Sequence, residues 1–293
     1  QLYQGKPKTF FPDRPAATAS APASGASAAA SAAGGSVPSA ANTSVPAASA
    51  TPTAPREKIA VSTDVLKLTF DTQGGAIVQT EFPKYLSEGS EGTPVVLLEQ
   101  SPKRYYVAQT GLVGGALPNH KTPMTFVGDK QLADGAKSLV VRFESPELGG
   151  VKLVKTYTLE RGSYVIGVRH EVQNHGATAV TPQLYQQLVR DGNAPEGESS
   201  FYSTFTGPVV YSEAAKYQKV AFKDLEKGKA EYQKTAPDGY VAMVQHYFAS
   251  AWMLGTADKQ NGQQRENYVR KDGDNMFSAG IIATLPTVAA GAS

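Results

Sequence analysis

The sequence predicts an all-β fold, a large twisted antiparallel sandwich with little helix, and three observations carry that expectation. From Arg56 onward the dominant hydrophobic period is two. Glycine- and asparagine-containing turn signals interrupt it at the spacing of a large sandwich. No alternation of strands with long amphipathic segments is present, which argues against a parallel sheet.

Taken in order, Leu66, Leu68 and Phe70 alternate with Lys67 and Thr69, and Asp71-Thr72-Gln73-Gly74-Gly75 makes a turn. On the return strand Ile77, Gln79 and Glu81 alternate with Val78, Thr80 and Phe82. Leu139, Val141 and Phe143 alternate with Val140, Arg142 and Glu144. Leu153, Tyr157 and Leu159 lead into a second hairpin turn, Glu160-Arg161-Gly162-Ser163. Beyond it Tyr164, Ile166, Val168, His170 and Val172 share one face, Arg169, Glu171 and Gln173 take the other, and Asn174-His175-Gly176 closes the strand. If the run from Tyr240 to Trp252 is one strand, His246 takes a packing position among Ala242, Val244, Phe248 and Trp252.

Composition divides the chain in three. Residues 1–14 mix Lys6, Lys8 and Arg14 with Leu2, Tyr3, Phe10 and Phe11. Residues 15–55 hold no charge and no aromatic, being mainly Ala, Ser, Pro, Thr and Gly. Such a stretch cannot bury enough apolar surface to offset its ordering entropy, so a disordered tether is expected, roughly 35 Å across as a random coil. Residues 56–293 form the expected β-domain.

One segment departs from the period. Residues 213–234 hold six lysines and four acids, with Tyr217, Phe222 and Leu225 between them and no clean apolar stripe. A charged edge strand or loop with a short helical turn is expected there, because charge is how sheet edges resist unwanted pairing. Aromatic residues interleaved with charge also suit a partner-contact edge, for which Tyr211, Lys216, Tyr217, Lys219, Phe222 and Lys223 are the candidates.

Charge and motif narrow the function. Twenty-eight basic against 26 acidic residues leave a net charge of +2, too balanced for affinity that rests on neutralising phosphates, so nucleic acid is not an expected partner. The absence of cysteine removes disulfides, thiol catalysis and Cys-based metal sites. No window approaches 18 consecutive apolar residues and no signal peptide is visible, so the chain is either cytosolic or lacks a targeting segment that was cut away.

His170-Glu171 followed by His175 fails the zinc-protease pattern. The spacing is five, and on a strand His170 and Glu171 point to opposite faces. His170 reads as a hydrogen-bonded core residue and His120 as a loop residue without an evident partner. Phosphate-loop, nucleophile-elbow and calcium-loop motifs are absent, and Asp272-Gly273-Asp274-Asn275 is a turn. The expectation is a non-enzyme with no catalytic, cofactor-binding or metal-ligating residue.

Several segments together resemble a known family. Thr63-Asp64-Val65-Leu66-Lys67-Leu68 with the Asp71–Gly75 turn is similar to the first hairpin of the periplasmic domain of the YidC family of bacterial membrane protein insertases. So are Val96-Leu97-Leu98-Glu99 leading to Tyr105–Leu112, the run Lys155–Tyr164 with Val172-Gln173-Asn174, and Tyr240–Trp252. The opening stretch ending Phe10-Phe11-Pro12 resembles the family's segment just outside its first membrane helix.

The resemblance implies a twisted sandwich similar to galactose mutarotases, inserted between the first membrane helix and a five-helix core, on the periplasmic face of a Gram-negative inner membrane. It implies anchorage by transmembrane helices outside this chain, and a family pattern that continues past Ser293 with a strand and a helix. The implied partners are the Sec translocon with its accessory subunits and nascent inner-membrane proteins, with the domain as a non-catalytic scaffold. The groove that carries out insertion lies outside this chain. The mutarotase-like fold also raises a rival expectation, a carbohydrate-binding or aldose-epimerase-like periplasmic protein, which needs a His acid and a Glu base facing one substrate.

Overall fold

The computed structural model describes residues 55–87, 92–195, 204–254 and 265–293. The expected juxtamembrane segment 1–14 and, apart from Pro55, the expected tether lie outside the described residues. Seventeen strands and one short helix are assigned among those described.

Three antiparallel sheets are formed. The largest runs β1 (Lys58–Ser62), β2 (Lys67–Asp71), β3 (Ala76–Leu86), β4 (Pro94–Gln100), β5 (Tyr105–Val113), β10 (Gln183–Asp191), β17 (Met276–Thr284), β16 (Arg265–Gly273), β13 (Thr235–Ala236). A four-stranded sheet follows chain order: β6 (Thr125–Gly128), β7 (Ser138–Glu144), β8 (Val151–Glu160), β9 (Ile166–Asn174). Another has the order β12 (Lys216–Lys219), β11 (Gly207–Ser212), β14 (Tyr240–Gln245), β15 (Phe248–Met253). The helix α1 spans Phe222–Glu226.

The period-two alternation reappears as burial. Leu139, Val141 and Phe143 on β7 are buried while Val140 and Arg142 are exposed, and Leu68 and Phe70 on β2 are fully enclosed. Their faces meet across the sandwich: the Phe70 ring lies 5.2 Å from Phe143 and 4.8 Å from Tyr157. The other four-stranded sheet meets β5 and β10 through polar groups. Tyr106 Oη is 2.5 Å from Ser250 Oγ, and Gln245 Oε1 accepts from Arg190 at 3.1 Å. One apolar cluster joins β2, β5, β7, β8, β10, β14 and β17, so both small sheets share the large sheet's core.

Gly74 and Gly75 make the β2–β3 turn at φ +76° and +58°, a region that side chains rarely occupy. A Cβ on Gly75 would stand 2.8 Å from the Phe143 ring. This position needs glycine for close approach as well as for conformation.

Two sequence expectations are corrected. The run from Tyr240 to Trp252 is a hairpin, β14 and β15, turning at His246-Tyr247. His246 is therefore an exposed turn residue and not a packing one. A two-residue turn with ordinary side chains leaves no glycine signal, so periodicity ran straight through it. His120 is buried and does have a partner. Its backbone N–H donates to Tyr185 Oη at 3.0 Å, and its Nδ1 lies 2.6 Å from the same oxygen. That partner is 65 residues away, beyond the reach of local pattern.

Candidate functional site

The six candidate residues fall on β11, β12 and α1. β12 pairs with β11 in the register Tyr211↔Tyr217 and Ser212↔Lys216, and is the outermost strand of its sheet. Residues directly opposite share a face. Tyr217 and Tyr211 therefore continue into Tyr240 of β14 and Met253 of β15, giving one row across four strands. The row faces outward, with Tyr217 49% and Met253 58% exposed. The Tyr211 and Tyr240 rings stack at 5.1 Å. The other face of β11 and β14 carries Val210, Val241 and Met243 into the core.

Charge borders the row. Tyr211 Oη donates to Glu213 at 3.0 Å, and Lys216 Nζ reaches the same carboxylate at 3.0 Å. That carboxylate raises both groups above their ordinary pKa values, because each is held in its protonated form. Lys219 places its ammonium 5.3 Å from the centre of the Phe205 ring. Lys223 is exposed on α1.

Phe222 points elsewhere. It is half-buried, with its ring 4.4 Å from Phe277, while the buried Arg190 guanidinium lies 5.9 Å from it. It fastens α1 to the large sheet, and α1 follows β12 directly. The structure thus brings together Tyr211, Lys216, Tyr217 and Lys219, and makes Phe222 their anchor. Tyr240 and Met253 belong to the row and were missed from sequence. Only strand register places them there.

His170 and Glu171 do not face one substrate together. His170 sits on β9 with Nε2 2.8 Å from Thr110 Oγ1, half-buried and hydrogen-bonded. Burial, then the charge of Lys155, pushes it down to about 3, so it carries no proton to donate near neutrality. Glu171 lies on the opposite face of β9. His175 approaches Glu147 at 3.1 Å, both about half exposed. No group of three or more His, Asp or Glu side chains is placed to hold a metal among the described residues.

The most unusual charge is Lys155, which is fully buried. Its Nζ donates to Gly74 O and Thr110 O, each at 2.6 Å. Tyr157, two residues along β8, donates to Gly75 O at 2.7 Å. Burial lowers Lys155 to about 7 and holds the Tyr157 phenol well above its usual range. These two side chains grip the glycine turn of the opposite sheet, satisfying carbonyls that the turn leaves inside the core. They occupy the run whose pattern carried the family resemblance.

Comparison with known proteins agrees with that resemblance. Residues 58–293 match the family model described as the YidC periplasmic domain. The chain is 44% identical to the membrane protein insertase YidC of Cupriavidus necator, matching along 100% of this chain and 52% of the relative. It is 45% identical to that of Bordetella petrii, over 100% and 53%. Herminiimonas arsenicoxydans has a relative 40% identical over 99% and 51%. The chain spans about half the length of the curated relatives it matches. Among solved structures, a galactose mutarotase related enzyme from Lactobacillus acidophilus aligns over 81% of this chain and all of its own, at 9% identity and a TM-score of 0.37. That likeness is too loose to transfer anything to this chain. The family model and the relatives carry the assignment: the chain belongs to the YidC family of membrane protein insertases, and residues 58–293 are its periplasmic domain.

Proposed function

We propose that this chain is a non-catalytic scaffold on the periplasmic face of the inner membrane. In this role it assists insertion and folding of nascent inner-membrane proteins by presenting its β12 edge to the Sec translocon and its accessory subunits. The observation that carries the reading is the outward row Tyr217–Tyr211–Tyr240–Met253, bordered by Lys216 and Lys219 and ending at β12, the outermost strand of its sheet among the described residues. Amphipathic aromatics beside lysines provide contact area with little entropy to lose, and an open edge adds backbone hydrogen bonds. Phe222 and the Tyr211–Tyr240 stack hold the edge in place before a partner arrives.

The test is photo-crosslinking from position 217 in the full-length, membrane-embedded protein, with exposed Val140 of β7 as the control position. The reading expects strong adducts to Sec subunits from 217, weakened by Lys219→Glu. Labelling from 217 no greater than from 140 would overturn it. The aldose-epimerase alternative has less support, because His170 is held unprotonated and its neighbouring Glu171 faces away.

A further inference from the structure

Two basic side chains on neighbouring strands converge on one residue of the opposite sheet. β8 and β9 pair with Lys155 directly across from His170, so both side chains leave the same face. Lys155 Nζ donates to the Thr110 carbonyl, and His170 Nε2 lies 2.8 Å from the Thr110 hydroxyl. No carboxylate is bonded to either side chain among the described residues.

We propose that the Lys155–His170 pair makes β9 an acid-releasable edge of the domain, because the two side chains cannot both carry a proton against Thr110 without an anion between them. β9 is the outermost strand of its sheet, so it can swing away without unzipping a second neighbour. Ile166, Val168 and His170 are half-buried, and at the far end Asn174 exchanges backbone hydrogen bonds with Gly291 and Ala292. Release would therefore run from the Ile166 end toward that tie.

Among the described residues, three elements pack against His170. β8 presents Lys155 and Tyr157, the β2–β3 turn presents the Gly74 and Gly75 carbonyls, and β5 presents Thr110 between the apolar Ala108 and Leu112. Arg169 and Glu171 lie on the other face of β9. Burial and the Lys155 charge hold His170 down to about 3, whereas a released histidine titrates near 6.5. Below pH 6.5 the released form binds the extra proton, so acid favours release. Between pH 7.5 and pH 5.0 the opening constant rises about 30-fold from His170 alone.

The experiment is amide hydrogen exchange, corrected for intrinsic rates, on the 293-residue chain at both pH values. The expected result is an approximately 30-fold rise in opening over residues 166–173, which His170→Gln, still able to bond Thr110, largely removes. An equal acid response in H170Q would overturn the proposal. An NMR titration of the unmodified chain keeps it testable if H170Q fails to fold. His170 should remain unprotonated to below pH 4, and titration near 6.5 in the folded chain would overturn the inference.

Discussion

Lys155 and Lys216 mark two regions that use the same residue type for opposite ends. Lys155 is fully enclosed between two sheets and spends its hydrogen bonds on backbone carbonyls. Lys216 is exposed at the head of the outermost strand and pairs with a carboxylate three residues away. The first joins sheets; the second keeps an outer strand charged. A buried polar contact is costly to break because the abandoned groups stay out of water, whereas an exposed pair exchanges freely with solvent. Stability should therefore reside at the β8 junction and recognition at the β12 edge.

Four substitutions sharpen or break that comparison. The largest effect is expected at the junction. Phe143→Ala empties a fully buried site against Phe70, Phe126 and Tyr157 and should cost about 3–5 kcal/mol by chemical denaturation. A cost below about 1 kcal/mol would mean that the two sheets are not held there.

Lys155→Met should change how stability depends on pH. In the folded chain Lys155 titrates at about 7, against 10.5 when unfolded, so between those values the unfolded chain binds more protons. Wild-type stability should therefore gain up to about 1.4 kcal/mol per pH unit from this group as pH rises from 7 toward 9. The Met variant should lose that slope; an unchanged slope would mean that Lys155 is not the titrating group.

At the edge the two aromatics should separate. Phe222→Ser removes a half-buried ring from Phe277 and should cost about 1–2 kcal/mol, read as a lower melting temperature. Tyr217→Ser should shift stability by less than about 0.5 kcal/mol while weakening cross-linking to Sec subunits. If Tyr217→Ser destabilised as much as Phe222→Ser, the outward row would belong to the core.

Legibility from sequence followed the range of the interactions. The hairpins at Asp71–Gly75 and Glu160–Ser163 were readable because turn chemistry and alternation are local. For the charged 213–234 segment, charge density and the lack of an apolar stripe are local and leave an edge strand or a loop with a short helical turn; the structure decides for strand β12 followed by α1. The turn at His246 escaped because nothing in its composition interrupts the alternation on either side. Tyr240 and Met253 escaped because which residues stand in one row depends on strand register, and the Phe222 contact with Phe277 spans 55 positions.

Sequence by itself determined the antiparallel β character and the family, since both rest on short segments in chain order. It also determined which faces are apolar, as β7 and β8 bear out in burial. Only the tertiary structure decided that Lys155, an ordinary surface residue by type, is enclosed, and that His170 is held unprotonated beside it. Desolvation is a property of everything packed around a group, and the Gly74 turn and Thr110 strand that enclose Lys155 lie 81 and 45 residues away in the chain.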